Sequence, residues 1–229
     1  ESGVRIAVSV VRGGEPEPFA FLDGENDAYV VGTRAPEPPV FRRYALLGIE
    51  HLARGFDHLL FLFALLLIVL DPRIARAHPL RTLLWTVSGF TAGHAATLSL
   101  AILGGVTLPS APTEVCIALS IVFLAAELIR DPQTLVFRRP WLVAAGFGLL
   151  HGLGFAGALL ALGVRASDAP EALVAFHVGL ELAQLAFVTL ALGALWLARG
   201  LEEKRRWLAY AVGAVATVFS ILRAETLFA

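Results

Sequence analysis

The sequence predicts an all-α polytopic membrane protein with six transmembrane helices and a short N-terminal β-rich extracytoplasmic segment. Of the 229 residues, 57% are hydrophobic and only 16% are charged, whereas a soluble domain is typically about a quarter charged. The hydrophobic residues form long uninterrupted blocks, each able to cross a hydrocarbon core of about 30 Å. The first forty residues differ, because they contain short alternating runs separated by turn signals.

Residues 1–40 form the first predicted domain. Three runs in it predict short strands: GVRIAVSVV, FAFL and AYVVGT. Because three such strands make only a marginal sheet, we interpret them as the end of a larger β domain or as a cap on the membrane part. This segment could dock a protein partner. The proline-rich linker APEPPV leads into the second predicted domain, the transmembrane residues 41–229.

The six predicted spans alternate with loops of different charge. The spans are Tyr44–Leu70, Leu80–Leu103, Ala111–Ile129, Pro140–Leu162, Pro170–Ala198 and Arg206–Leu222. Arginines and lysines concentrate in the loops after the first, third and fifth spans. In the alternate loops, 104–110 and 163–169, Arg165 is the one basic residue. The positive-inside rule places the basic loops in the cytoplasm. Arg42 and Arg43 oppose this orientation, but three concordant loops outweigh them.

We therefore expect a multi-pass protein of the bacterial inner membrane with both termini extracytoplasmic. The expected partners are membrane lipid and a metal ion. The net charge of −1 implies no general attraction to nucleic acid.

Five of the six histidines lie inside predicted spans. His51 and His58 are seven residues apart in the first span, so on one continuous helix they share a face, with Asp57 at its edge. At 1.5 Å per residue they lie about 10 and 20 Å below the outer end. An ionised Asp near a bilayer centre costs roughly 2.5–3.5 kcal/mol. A helix that keeps one is expected to use it for a metal ion, a proton or a polar partner.

Other spans carry further polar groups at compatible depths. One histidine in a span is most often a packing residue, but five histidines with carboxylates favour a metal or proton site. The predicted metal ligands are His51, Asp57, His58, His94, His151, His177 and Glu181. His51 is also a candidate for an entry or outer position. A supporting or pathway role is expected for Thr91, Thr97, Gln184 and Glu127. The sequence does not identify which residues would be catalytic.

The amino-acid composition indicates which metal ions the site would bind. Histidine and carboxylate ligands suit divalent nickel, cobalt, zinc or iron. Methionine is absent and Cys116 is the single cysteine, which argues against soft metals such as copper(I).

The sequence resembles the HupE/UreJ family of hydrogenase- and urease-associated membrane proteins over residues 44–222. The block GIEHLARGFDHLLF resembles the first-span signature of that family. Further similar blocks are FTAGHAATLSLA, PTEVCIALSIVFLAAE, FGLLHGLGFAGAL and FHVGLELAQ. These blocks are similar to the second branch, whose members often carry an extracytoplasmic N-terminal region.

The resemblance implies a secondary permease for nickel or cobalt. It makes His51, Asp57 and His58 metal-handling residues and assigns His151 to a later His-Gly motif. The nickel permeases of the family have two histidines and a following Glu in that motif, whereas here only His151-Gly152 remains.

Three functions are compatible with these observations. The first is a divalent metal permease for nickel or cobalt. The second is an intramembrane enzyme that depends on zinc or iron, for which three or four fixed ligands and an open water position would suffice. The third is a metal-binding accessory subunit of a larger membrane complex. We expect the permease, and regard the enzyme as the main alternative.

Overall fold

The computed structural model divides into two compact units, residues 1–39 and 40–229. The structure describes residues 6–8, 11–12, 15–16, 20–22, 39–74, 76–106, 109–130, 132–161, 167–198 and 201–225.

The first unit contains four short strands. Strand β1 (Ile6–Val8) pairs antiparallel with β4 (Ala20–Leu22), and β2 (Val11–Arg12) pairs antiparallel with β3 (Glu15–Pro16). The first two predicted strand runs contain β1 and β4, whereas the third run, residues 28–33, lies outside the described residues. These short pairs do not amount to a β-rich domain, so that domain and its docking role stay predictions.

The second unit is helical throughout its described elements. The helices are α1 (Val40–Arg54), α2 (Phe56–Val69), α3 (Pro79–Gly104), α4 (Ser110–Ile129), α5 (Leu135–Arg138), α6 (Pro140–Ala161), α7 (Ala169–Ala198) and α8 (Leu201–Glu225). Three pairs make the most extensive contacts: α3 with α6, α1 with α7, and α4 with α8.

Helix α2 lies at the centre of these three pairs and contacts all six of their members. Its sequence explains this position, because every residue after His58 is apolar and side chains on all its faces are buried. A helix that is hydrophobic all round belongs inside a bundle.

Glycines allow α3 and α6 to pack with their backbones in contact. A Cβ atom on Gly93 would fall on the carbonyl oxygen of Ala145, and one on Gly148 would fall on that of Phe90. Small residues permit this approach between membrane helices. Gly89 meets Trp141 four residues before the Gly93–Ala145 contact on both helices. The two helices are therefore parallel, and their N-termini lie at the same end.

The first predicted span is not one continuous helix. It is broken at Gly55, and the axes of α1 and α2 differ by 74°. Gly55 has φ −82° and ψ 82°, so its extended ψ takes the chain out of the helix. A Cβ on Gly55 would lie 2.7 Å from His58 Nδ1 and 2.9 Å from the His51 carbonyl oxygen. The prediction that His51 and His58 share a face of one helix is therefore wrong.

The predicted number of spans is confirmed only in part. Among the described residues, four helices have the length and apolar composition of a membrane span, within α3, α4, α7 and α8. The bent α1–α2 pair is a fifth if it counts as one span, and α6 contributes the shorter apolar helix Pro140–Phe155. A multi-pass membrane protein follows from these helices.

Arginines bind the C-terminal ends of α2 and α4 at one end of the bundle. Asp71 is 1% exposed and lies between Arg73 and Arg205, with N–O distances of 2.7 and 2.9 Å. Both arginines also donate to the carbonyl of Leu128 in the last turn of α4, at 3.2 and 2.5 Å. The last carbonyls of a helix lack intrahelical partners, so these arginines satisfy a buried helix end.

Candidate metal centre

Five histidines from five helices meet beside the Gly55 break. The ring centroids of His51 and His58 are 4.6 Å apart, and those of His58 and His151 are 5.0 Å apart. His94 lies 5.8 Å from His51 and 5.4 Å from His177. The rings of His51 and His58 thus lie side by side, so the predicted depth difference of about 10 Å is also wrong. The bend at Gly55 is what brings them together.

The three closest histidines could hold a metal ion. His51, His58 and His94 each offer a ring nitrogen, and these nitrogens lie within 4.8 Å of one another. Two nitrogens on the same ion, each about 2.1 Å from it, are at most about 4.2 Å apart. Only a small inward movement of the rings is therefore needed to coordinate an ion. His51, which is also a predicted entry or supporting ligand, lies within this triad.

A chain of hydrogen bonds sets the tautomer of His94. The Nδ1 atom of His177 lies 2.7 Å from the Leu173 carbonyl oxygen, which can only accept, so this nitrogen carries the proton. Its Nε2 atom then accepts from His94 Nδ1 at 3.3 Å. His94 consequently keeps the lone pair on Nε2. That atom is buried and has no protein partner among the described residues, as expected of a metal ligand whose other nitrogen is held by a neighbour.

Ser120 orients His151 in the same way. The Ser120 hydroxyl donates to the Ile117 carbonyl at 2.6 Å, so its oxygen is free to accept from His151 Nε2 at 3.4 Å. This leaves the lone pair of His151 on Nδ1, which is also buried without a partner in the described part of the chain. Two separate supports therefore direct an unprotonated nitrogen into the cluster.

The buried nitrogens of the cluster could hold a cation. The described structure offers no partner to His51 Nε2, to either ring nitrogen of His58, or to the inward nitrogens of His94 and His151. Burying such groups without a partner is costly. The surrounding wall is aromatic, formed by Phe61, Phe90, Phe155 and Phe176. The donors are therefore neutral imidazoles in an apolar shell, which suit a borderline divalent metal.

Asp57 lies at the mouth of this cluster but is paired with an arginine. Arg223, in the last turn of α8, forms an ion pair with Asp57 Oδ2. Its Nε atom is 3.8 Å from Glu114, and its Nη1 donates to the Glu114 carbonyl at 3.3 Å. Asp57 Oδ1 is buried and has no described partner. One carboxylate oxygen is therefore engaged by Arg223, and the other remains available.

Glu181 and Gln184 form a separate polar group with α3. Glu181 accepts from Ser88 at 2.6 Å and also from Thr91, whose hydroxyl lies 2.8 Å from Gln184 Oε1. None of the described hydrogen bonds joins Glu181 to a histidine. Thr97 bonds the carbonyls of Gly93 and His94 in its own helix. Of the three polar residues His177, Glu181 and Gln184 of α7, His177 is thus the one that contacts the histidine cluster.

Glu127 lies at the arginine-lined end of the bundle, away from the histidines. It is buried, accepts from Thr134 at 2.5 Å, and lies 3.5 Å from Arg130. Its described partners are all local, and a pathway role for it stays a prediction.

Two cavities flank the histidine cluster. The first, of about 450 Å³ and here called the histidine cavity, is lined by His51, Asp57, His58, Glu114, His151 and Arg223 among others. The second, of about 470 Å³, is a groove between α3 and α7, lined by Ser88, Thr91, Ser99, His177 and Glu181 among others. The contact between His94 and His177 connects the two sides.

Sequence reasoning missed three supporting groups. These are Ser120, the Leu173 carbonyl and Arg223. Arg223 could have been recognised from the sequence, since it is a single basic residue directly after an apolar span. Ser120 could not, because one serine in an apolar helix is ordinary. The backbone carbonyl of Leu173 has no signal in the sequence at all.

Comparison with known proteins agrees with the resemblance. The family model described as HupE / UreJ protein matches residues 26–226. No curated protein and no solved structure gives a significant match. The match covers most of the chain and includes all five clustered histidines, and the chain belongs to the HupE/UreJ family.

Proposed function

We propose that this protein carries a divalent transition-metal ion, nickel or cobalt, across the membrane through its histidine cluster. One observation carries the proposal: ring nitrogens of His51, His58 and His94 lie within 4.8 Å of one another, with His151 beside His58. The tautomers of His94 and His151 are set by neighbours. In this proposal the metal is the cargo. His51, His58 and His94 bind it, and His151 and Asp57 border the same site.

The flanking cavities support a path for the ion. The histidine cavity is lined by the exposed Glu114 and the buried Asp57 as well as by histidines, so it offers an entering cation carboxylates beside the imidazoles. On the far side, His94 leads to His177 and the groove containing Glu181. Histidine and carboxylate oxygen are both acceptable ligands for nickel and cobalt, so such a sequence of ligands suits stepwise transfer.

The proposed orientation follows from charge. Arg73, Arg76, Arg138 and Arg205 gather at the end opposite the histidine cavity. By the positive-inside rule this end faces the cytoplasm. The histidine cavity would then open to the extracytoplasmic side of the bacterial inner membrane, and both termini would lie on that side. Six spans remain part of this proposal, with α6 as the sixth.

Metal flux into liposomes tests the proposal. The purified chain is reconstituted around a nickel-sensitive dye, and external nickel or cobalt is added. We expect uptake above that of protein-free liposomes, and a loss of at least about tenfold in His58→Ala and His94→Ala, because removing one ligand of three weakens the site strongly. His78→Ala is the matched control, since His78 is an exposed histidine at the other end of the bundle. Equal uptake in all variants would refute the proposal.

A second candidate is an intramembrane enzyme that depends on zinc or iron. The observation favouring it is that α2 carries only apolar residues after His58, and most are buried. This dry segment separates the histidines from the arginine end. A site open to one side, with three histidines and a free position for water, resembles catalytic metal sites. Stoichiometric metal binding without flux, abolished in His94→Ala, would favour the enzyme over the permease.

A further inference from the structure

A third cavity, of about 1080 Å³, lies at the arginine end of the bundle. We call it the basic cavity, and its defining residues are Arg73, Arg76, Arg81, Arg138, Trp85 and Trp141. Among the described residues that line it, none is acidic and none also lines the histidine cavity.

The positive charge of this cavity is mostly uncompensated within the described chain. Asp71 and Glu127 are described carboxylates at this end of the bundle. Two arginines, Arg73 and Arg205, share Asp71, and Glu127 pairs with Arg130. The guanidinium of Arg76 donates to the neutral carbonyls of Val69 and Phe137, at 3.1 and 2.5 Å.

Two further arginines of this cavity are unengaged. The side chains of Arg81 and Arg138 make no ion pair or hydrogen bond with any described residue, and both are exposed. An anion would therefore find arginines that need not break an existing bond.

The helix geometry adds to this positive field. Because α3 and α6 are parallel, both begin at the basic cavity, α3 at Pro79 and α6 at Pro140. Helix N-termini carry partial positive charge and free N–H groups, so they favour anions. The arginine side chains and the two helix ends thus act on the same space.

Aromatic and aliphatic side chains beside the arginines indicate a lipid. Trp85 is 61% exposed and Trp141 is 41% exposed, and Leu80 and Leu84 are exposed next to them at the start of α3. Tryptophan at the end of a span is typical of the headgroup level of a bilayer. A soluble anion would need the charges but not this apolar border. A phospholipid uses both.

We propose that the basic cavity binds an anionic phospholipid, with its phosphate between Arg81 and Arg138 and its glycerol and upper acyl chains against Trp85 and Trp141. Basic pockets between membrane helices on the cytoplasmic side recognise such headgroups. The site is independent of the histidine cluster and of the metal it carries.

Native mass spectrometry of the purified chain tests this proposal. Phosphatidylglycerol and phosphatidylcholine with identical acyl chains are the probes. The wild-type chain should retain one phosphatidylglycerol in preference to phosphatidylcholine. In the double variant Arg81→Gln, Arg138→Gln this binding should weaken about 30-fold, since each arginine contributes about 1 kcal/mol and about 1.4 kcal/mol is tenfold.

The matched control is the double variant Arg42→Gln, Arg206→Gln, which removes two exposed arginines outside the cavity. It should retain phosphatidylglycerol like the wild type. Equal losses in both double variants would mean non-specific attraction and would overturn the proposal, as would a wild-type chain that shows no preference between the two lipids.

Tryptophan quenching provides a second readout that does not depend on retention in the gas phase. The chain has four tryptophans, and Trp196→Phe, Trp207→Phe leaves only the two that line the basic cavity. Brominated phosphatidylglycerol should quench these two more than brominated phosphatidylcholine does, and Arg81→Gln, Arg138→Gln should remove the difference. Inorganic phosphate alone should neither bind nor displace the lipid. Tight binding of free phosphate would overturn the lipid assignment in favour of a soluble anion.

Discussion

Arg223 at the end of α8 forms an ion pair with Asp57 at the start of α2, and both residues line the histidine cavity. The two residues are 166 positions apart in the chain. The pair places a fixed cation of the protein on a carboxylate beside the histidine cluster. In the proposed permease, Arg223 and the metal ion would compete for Asp57, and Glu114 offers the arginine a second partner nearby.

Removing that cation should strengthen metal binding. We expect Arg223→Gln to raise the affinity for nickel on the order of tenfold, because a like charge is removed and Asp57 is freed. Arg223→Lys keeps the charge and should stay near wild type. Titration calorimetry of the detergent-purified chain measures both. A weaker affinity in Arg223→Gln would mean that the arginine holds Asp57 in position instead of competing for it.

The hydrogen bond that His151 donates to Ser120 should affect the affinity for the metal ion. Ser120→Ala removes the acceptor that keeps the proton on His151 Nε2, and loss of such a support typically costs 10- to 100-fold in affinity. We expect a fall of about tenfold in nickel affinity.

Ser220→Ala is the control for that measurement. Ser220 is also buried and also bonds a carbonyl of its own helix, that of Ala216 at 2.8 Å, but it does not touch a histidine in the described structure. Its affinity for nickel should not change. A similar loss in both variants would attribute the effect to general helix packing.

The contact between α3 and α6 predicts a steep dependence on side-chain size at one glycine and none at another. Gly93→Ala would place a methyl group on the Ala145 carbonyl, so the helices must separate, at a cost of about 1–3 kcal/mol. Gly146→Ala meets nothing within 4 Å and should be neutral or stabilising, because alanine is the better helix former by about 1 kcal/mol. Thermal unfolding in detergent compares them. Equal melting temperatures would contradict the close backbone contact between α3 and α6 at Gly93.

Asp71 should make the stability of the protein sensitive to acid. Burial alone would raise the pKa of this carboxyl, but the hydrogen bonds from Arg73 and the charges of Arg205 and Arg73 outweigh burial and hold the pKa below its ordinary value of 3.8. A carboxylate with a lowered folded-state pKa contributes stability above the unfolded value. That contribution is lost as the pH falls through the folded-state pKa.

Asp71→Asn should therefore lower the free energy of unfolding by about 3 kcal/mol at neutral pH, since it leaves a half-buried arginine pair without its counter-ion. The difference in the free energy of unfolding between wild type and Asp71→Asn should become smaller as the pH falls below about 4. Glu50→Gln is the control, because its pair with Arg54 is exposed and worth under about 1 kcal/mol. If this difference in the free energy of unfolding did not change with pH, the titration of Asp71 would not be its cause.

The residues of the candidate site could be chosen from the sequence, but their arrangement could not. His94, His151 and His177 stand out because imidazole is rare and costly inside apolar helices, and a one-dimensional pattern is enough to see that. The sequence also marks the helices themselves, since uninterrupted apolar blocks exceed the thickness of a bilayer core.

The first span shows where such reasoning fails. A regular helix separates His51 from His58 by two turns, and nothing in the block GIEHLARGFDHLLF requires Gly55 to be a break, because glycine is tolerated inside membrane helices. The bend is set by contacts of tertiary origin. Gly48 must meet the backbone of α7 at Phe176, while α2 must enter the centre of the bundle.

The sequence alone thus determined a membrane-embedded helical protein rich in intramembrane histidines, with its basic residues in alternate loops. Only the tertiary structure decided which nitrogens carry the lone pairs, that Arg223 occupies Asp57, and that Glu181 bonds Ser88 instead of a histidine. The hydrophobic pattern depends on local spacing along the chain, and it can therefore be recognised from the sequence alone. Hydrogen-bond partners from different helices depend on how those helices pack, and packing is decided by all of them together.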